Sequence, residues 1–162
     1  MFLRRSALVF LASTAWLAVS ASAQNATTTF TRDFNFPPVG IGSTETIQIN
    51  VLNNANASSS GTAASCTGTI TFKNASGTVI GAATAFTVTS GDVFSVGLPF
   101  SKAGATGTRA EIVGSVQLTL STSSSTPCAL ASSLETFDTS SGVTHVFLAG
   151  SSPQGGGPFG HQ

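Results

Sequence analysis

Charged residues and the aromatic residues tryptophan and tyrosine are scarce in this sequence. Charged residues make up only 7% of its 162 positions, tyrosine is absent, and Trp16 is the single tryptophan. Apart from Arg4-Arg5, the basic residues stand alone, whereas nucleic acids are bound by clustered lysines and arginines that displace phosphate counterions. We therefore predict no nucleic-acid partner. The same scarcity excludes a basic stripe for binding anionic membranes.

Low charge does not by itself predict a disordered chain here. Hydrophobic residues make up 41% of the sequence, which is enough to supply a core. Threonine and phenylalanine favour strands, while glycine, asparagine and serine favour turns. The composition predicts a β-rich domain whose polar surface consists of hydroxyl and amide groups instead of charges.

The N-terminal segment has the three parts of an export signal. Arg4-Arg5 is the basic part, residues 7–19 form an apolar run, and Ala21-Ser22-Ala23 is a cleavage site with small residues. The run is shorter than the ~20 residues that span a bilayer. We predict a signal peptide over residues 1–23, a mature chain that begins at Gln24, and no membrane span after cleavage. An uncleaved anchor is the alternative.

Three segments follow the predicted signal peptide. Residues 24–36 are a Thr-rich N-terminal arm or edge strand, which Pro37-Pro38 ends because proline cannot donate to a strand ladder. Residues 37–150 are predicted to form a β-sandwich domain. Residues 151–162 form a flexible tail rich in glycine and proline.

Short stretches of alternating apolar and polar residues recur along the domain, and no apolar 3.6-residue period is long enough for a helix. In the strand Arg109–Leu120, Gly114 occupies a position where the alternation otherwise places an apolar residue. A glycine at such a position predicts a β-bulge. Seven or eight such strands predict an all-β, antiparallel, immunoglobulin-like β-sandwich. The predicted strands are Thr46–Leu52, Cys66–Lys73, Thr78–Ile80, Ala85–Thr89, Val93–Leu98, Arg109–Leu120, Cys128–Phe137 and Val143–Leu148.

Two turns have similar chemistry. Asn74-Ala75-Ser76-Gly77 and Asp138–Gly142 each place an Asn or Asp at the start and a glycine, which can adopt positive φ, at the end. Asp92 lies in a third predicted turn. Carboxylates in turns usually accept local backbone hydrogen bonds, so we predict that role for Asp92 and Asp138 in preference to calcium binding.

Cys66 and Cys128 are the only cysteines. In an oxidising compartment such a pair indicates a disulfide. Each cysteine has the parity of apolar residues in its predicted strand, so both thiols are expected to face the core, where they can meet. Two separate buried thiols are the alternative, and no Cys-x-x-Cys pattern suggests a redox role.

Four features taken together resemble uncharacterised secreted bacterial immunoglobulin-like β-sandwich modules. They are Phe36-Pro37-Pro38-Val39-Gly40, the strand Thr46–Leu52, Cys66 with its strand-turn-strand, and Cys128 leading to Glu135-Thr136-Phe137-Asp138. The resemblance covers most of residues 30–149 and implies a two-sheet sandwich without catalytic residues. One departure is the missing core tryptophan that packs on the disulfide of true immunoglobulin domains.

The sequence indicates no catalytic residue, no cofactor and no metal site. His145 lies in the last predicted strand and His161 in the tail, and neither belongs to a catalytic motif. A catalytic triad of His145, Asp138 and a serine is not favoured by the spacing of these residues along the sequence. Glu111 and Glu135 are predicted to be solvated strand residues and not the carboxylate pair of a glycosidase.

We therefore expect a non-enzymatic structural or adhesive module, secreted or on the cell surface, with an extracellular or cell-surface protein or glycan as partner. The periplasm is an alternative compartment. One alternative function is a carbohydrate-binding module, although phenylalanine is the only aromatic left after signal cleavage. Another is a pilin-like, self-associating subunit that donates residues 27–36 to a neighbour. An enzyme would need a cleft that gathers His145 with carboxylates.

The export signal leads to a direct prediction about the mature protein. We expect N-terminal sequencing and intact mass of the exported protein to give a chain that starts at Gln24, because cleavage follows Ala23. A protein that still carries residues 1–23 in its final compartment would contradict the prediction and favour the uncleaved anchor.

Overall fold

A computed structural model describes residues 28–55, 65–121 and 128–150. The predicted signal peptide and tail lie outside these residues. Within the described ranges the chain forms nine strands and one short 3₁₀ helix, Phe100–Lys102. The strands are β1 Thr29–Asn35, β2 Val39–Gly42, β3 Glu45–Asn53, β4 Ser65–Asn74, β5 Val79–Thr89, β6 Val93–Pro99, β7 Arg109–Ser121, β8 Leu130–Asp138 and β9 Thr144–Ala149.

The strands form two antiparallel sheets. Sheet A has the order β1-β7-β4-β5, and sheet B has the order β6-β3-β8-β9. Strand β2 also pairs with β7, so β1 and β2 lie end to end along one edge of sheet A, interrupted by Pro37-Pro38. The predicted all-β antiparallel sandwich is confirmed. The sequence did not predict β2, because its four residues show too little alternation.

The apolar inner faces of the two sheets pack against each other. Their buried residues form one cluster that includes Ile41 and Ile112 from sheet A and Ile49 from sheet B. Burying an aliphatic side chain of this size contributes about 1.5–3 kcal/mol relative to leaving it exposed. The alternation of the strands therefore decides which side chains enter the core and which reach solvent.

Gly114 of sheet A faces two side chains of sheet B at close range. A Cβ atom there would lie 2.7 Å from Ile49 Cδ1 and 2.9 Å from Leu134 Cδ1. Gly114 pairs in regular register with Phe72, so the predicted bulge does not occur on the β4 side of β7. On the other side, residues 36–38 between β1 and β2 lie opposite Val113 and Gly114. The glycine leaves room for two side chains of the opposite sheet.

The pairing of β4 with β5 in sheet A contains a register shift. Ile70 pairs with Thr84 and Phe72 with Ile80, so the pairing of β4 with β5 shifts between these positions. Residues 81–83 of β5 therefore bulge opposite Thr71. The sequence predicted two short strands here because Gly81, Ala82 and Ala83 break the alternation, whereas the backbone continues as one strand.

Both predicted hairpin turns are confirmed. Gly77 has φ 80° and Gly142 has φ 71°, a conformation that glycine adopts without steric cost. Asn74 Oδ1 accepts the N–H groups of Ser76 and Thr78. Asp138 Oδ1 accepts N–H groups in the same way, from the two serines that follow Thr139.

A disulfide joins Cys66 to Cys128, with the two Cα atoms 5.3 Å apart. The predicted disulfide is confirmed, and it connects β4 of sheet A to the segment just before β8 of sheet B. Cys66 is fully buried, whereas Cys128 is half-buried. The predicted strand beginning at Cys128 is wrong at that end, because β8 begins at Leu130. Such a bond fits a protein that folds outside the reducing cytosol. No helix within the described ranges is long and apolar enough to cross a membrane.

Removal of the disulfide should lower stability substantially. The bond joins residues 62 positions apart, and closing a loop of that length stabilises the fold by about 4 kcal/mol in the chain-entropy treatment. We expect the double variant Cys66→Ser, Cys128→Ser to lose about that much unfolding free energy in urea. The reduced wild-type protein is the matched control and should unfold at the same urea concentration as the variant. A loss below about 1 kcal/mol would contradict the prediction.

Candidate functional site

The outer face of sheet B, hereafter the sheet B face, combines polar and apolar side chains from all four of its strands. Because neighbouring residues across the sheet are in register, the outward side chains form rows. One row consists of Gly97, Gln48, Glu135 and Phe147, and the next consists of Ser95, Asn50, Ser133 and Ala149.

A hydrogen-bonded network occupies the middle of these rows. Gln48 Nε2 donates to Asn50 Oδ1 at 2.8 Å and to Glu135 Oε1 at 3.1 Å. Asn50 Nδ2 also donates to Glu135 Oε1, at 3.0 Å, and Ser95 Oγ donates to Asn50 Oδ1 at 2.6 Å. These bonds hold three half-buried side chains in fixed orientations, so the network is preorganised.

The network leaves part of its hydrogen-bonding capacity directed at solvent. Both hydrogens of Gln48 Nε2 are used within it, whereas Asn50 Nδ2 donates only one bond. Among the described residues, Glu135 Oε2 and Gln48 Oε1 have no hydrogen-bond partner. A carboxylate and an amide each offer further lone pairs or N–H groups, so the face presents two acceptors and one donor within a few ångströms.

Apolar side chains flank this network. Phe147 is 63% exposed and Val93 60% exposed, although both are large hydrophobic residues. They line a shallow groove of about 340 Å³ together with Leu52, Ala131 and Ala149, next to Asn50. Exposed apolar groups that cluster in a groove mark contact surfaces more often than isolated ones do.

The outer face of sheet A has a different character. Its central row consists of four threonines, Thr31, Thr119, Thr67 and Thr87, one from each strand. In the next row Gln117 Nε2 donates to Asp33 Oδ1 at 3.0 Å. The threonine hydroxyl groups supply the polar surface that charge does not provide.

A second cavity, of about 510 Å³, lies between the β4–β5 turn and the start of β7. Its charged residues pair with each other, since Arg109 Nε donates to Glu111 Oε1 at 3.0 Å. The side-chain oxygen of Asn74, which also lines it, is occupied by the turn.

His145 contacts a carboxylate that the sequence did not single out. Its Nδ1 atom lies against Glu45 Oε1 at the end of sheet B, with both side chains partly exposed. The hydrogen bond from the Gly42 N–H, followed by that with His145, lowers the pKa of Glu45 below its ordinary value. The pair joins β9 to the start of β3 at the protein surface.

The turn aspartates accept local hydrogen bonds. Asp138 Oδ1 accepts the hydroxyl and N–H of Ser140 and those of Ser141. The bonds from the Ser140 hydroxyl, and then from the Ser141 N–H, hold the pKa of Asp138 far below its usual range. The prediction therefore holds for Asp138. Asp92 instead accepts a side-chain donor, the hydroxyl of Thr89.

The remaining carboxylates predicted to be solvated lie on opposite sides of the molecule. Glu111 is on the outer face of sheet A and Glu135 on the outer face of sheet B. They therefore cannot flank a single glycosidic bond as a catalytic pair must. Residues 28–55, 65–121 and 128–150 contain no group of three or more His, Cys, Asp or Glu arranged to hold a metal. His161 lies outside the described residues.

Comparisons with known proteins add little to this geometry. No family model matches the chain, and no curated protein matches it. The chain is similar to the crystal structure of Thermotoga maritima 1070, at 13% identity and a TM-score of 0.39. The alignment covers 74% of this chain and 92% of that one.

The sequence predicted the orientation of the sheet B face but not its composition. Alternation within the predicted strand Thr46–Leu52 separates Gln48 and Asn50 from its apolar residues, and Glu135 is predicted to be a solvated residue of another strand. The sequence does not single out Phe147. Alternation indicates which side of a strand a residue faces, but it does not indicate that β8 lies between β3 and β9. That order is what brings these residues together.

The low pKa of Asp138 leads to a prediction for Asp138→Asn. An asparagine can accept the same N–H bonds, as Asn74 does in the other turn, but it does not titrate. A depressed carboxyl pKa stabilises the fold above the unfolded value of about 3.9 and loses this contribution as pH falls through the folded value. We therefore expect the variant to be less stable than wild type at neutral pH, by an amount that shrinks in acid.

Urea unfolding at a series of pH values measures this difference. Asn74→Asp is the reciprocal variant and should gain acid sensitivity at the first turn. A gap between Asp138→Asn and wild type that stays constant from neutral to strongly acidic pH would show that the carboxyl charge is not the cause.

Proposed function

We propose that this protein is an exported, non-enzymatic adhesive module that binds its ligand through the sheet B face. The single observation that carries the proposal is Phe147, a large aromatic side chain that is 63% exposed beside an ordered amide and carboxylate network. Ligand sites typically combine apolar surface with a few fixed polar groups. The sheet B face has this combination.

Export is supported by two independent features. Residues 1–23 carry the pattern of a cleavable signal, and Cys66 is bonded to Cys128, as is usual outside the cytosol. The charge-poor, hydroxyl-rich surface suits a module that makes specific contacts without attracting charged macromolecules. We place the protein on the cell surface or in the extracellular space.

The distribution of titratable groups supports a binding role without catalysis. Catalysis needs several such groups that converge on one reacting atom. On the sheet B face the network contains one carboxylate, Glu135, and no histidine. His145 and Glu45 contact each other at the end of the sheet, where the carboxylate is also occupied by the Gly42 N–H.

The pairing of β1 does not favour the pilin-like alternative. All seven residues of β1 pair with β7 of the same chain, and Phe34 and Phe36 are buried in the same core. Donating this segment to a neighbour would expose both phenylalanines and open the edge of sheet A. The adhesive role is therefore the one that we carry forward.

Substitution of Phe147 tests the proposed surface. We expect Phe147→Ala to reduce retention of the exported protein on intact source cells and their insoluble extracellular material by about tenfold or more, because a few large aromatic contacts dominate binding energy. Phe30→Ala is the matched control, since Phe30 is 51% exposed on sheet A. Retention is measured by quantitative sedimentation. Equal retention of both variants would contradict the proposal.

A further inference from the structure

We infer that the sheet B face binds a neutral oligosaccharide, with one sugar ring stacked on Phe147 and hydroxyl groups bonded to Glu135 and Gln48. This inference rests on the proposed function and adds the class of ligand. It follows from three properties of the face: the spacing of the aromatic ring and the network, the mixture of donors and acceptors, and the charge.

The spacing suits a sugar ring. Phe147 lies directly opposite Glu135, and Glu135 directly opposite Gln48, in one row across three strands. Adjacent strands are ~4.8 Å apart, which is close to the width of one sugar ring. A sugar has an apolar face of C–H groups and a rim of hydroxyls. A ring that lies flat on Phe147 therefore directs its rim at the neighbouring carboxylate.

The unused polar atoms match hydroxyl groups. Glu135 Oε2 and Gln48 Oε1 are acceptors without a partner among the described residues, while Asn50 Nδ2 retains one N–H. A hydroxyl both donates and accepts, so it can satisfy either kind of group. Hydrogen bonds to an ionised carboxylate are about twice as strong as neutral ones, which makes Glu135 the strongest polar contact.

The charge of the face argues for a neutral ligand. Glu135 is the only charged residue in the two rows, so an acidic or sulfated ligand would meet a like charge. A cationic ligand would find a single carboxylate, and Glu135 Oε1 already accepts two amide N–H groups. Hydroxyl groups need no countercharge and are compatible with every group present.

The arrangement also differs from that of a protein-binding surface. Protein interfaces place aromatic and aliphatic residues at the centre and polar residues at the rim. Here the polar network lies in the central rows, and the apolar residues Phe147 and Val93 lie on the two edge strands. The four strands of a row span roughly 14 Å, enough for a short oligosaccharide laid across them.

The test is calorimetric titration of the exported, processed protein with defined probes. The neutral probes are cellohexaose, xylohexaose, mannohexaose and the hexamer of N-acetylglucosamine. The charged probes are a galacturonic acid hexamer and hexalysine. We expect at least one neutral probe to bind, with an affinity that changes little between low and high salt, because no ion pair forms.

Two variants locate the binding. Phe147→Ala should weaken binding by about tenfold or more, which corresponds to about 1.4 kcal/mol. Glu135→Gln keeps the size and the internal hydrogen bonds but removes the charge, and it should weaken binding by roughly the same factor. The matched controls are Phe30→Ala and Asp33→Asn, the latter in the carboxylate–amide pair of the opposite sheet. Both controls should bind as wild type does, and thermal unfolding verifies that each variant is folded.

The outcomes separate this inference from the proposed function. Binding of hexalysine alone, or of a neutral probe with unchanged affinity in Phe147→Ala and Glu135→Gln, would overturn the saccharide assignment. Retention is also measured on cell material whose sugars have been cleaved by periodate. Retention that depends on Phe147 but survives periodate would refute a sugar ligand while leaving the adhesive function in place. Retention that is absent on untreated material would refute both.

Discussion

The contact between Gly114 and the side chains of Ile49 and Leu134 is the constraint on which the rest of the structure depends. A single carbon atom added at Gly114 of sheet A would lie within 3 Å of both of these sheet B side chains. Close approach of the sheets allows the apolar inner faces to exclude water. Once those faces are paired, every alternate residue must point outward, and the outer faces become the surfaces available for binding.

The disulfide joins the two sheets at the other end of β4 from the residue that pairs with Gly114. Cys66 belongs to the core of sheet A, and Cys128 leads directly into β8, the strand that carries both Leu134 on its inner face and Glu135 on its outer face. Holding the start of β8 against β4 therefore stabilises the core and positions the carboxylate of the sheet B face. Stability and the candidate site share one strand.

The two outer faces differ in the side chains that they present to solvent. On sheet A, aligned threonines present hydroxyl groups without an exposed ring in the central row. On sheet B, the network around Glu135 lies beside Phe147 and Val93. Both of these hydrophobic side chains are largely exposed to solvent. Large exposed apolar groups carry a risk of aggregation, so their retention beside ordered polar groups favours a binding role.

The sequence by itself determined the local features of this protein. Alternation assigned residues such as Ile49 and Gln48 to opposite faces, and turn chemistry placed Gly77 and Gly142, because each depends on neighbours a few residues away. The disulfide was predictable because Cys66 and Cys128 are the only two cysteines. Tertiary structure alone decided that Gln48 meets Glu135, 87 positions along the chain, and that Phe147 lies beside them. Strand order depends on how whole sheets pack, and no local period encodes it.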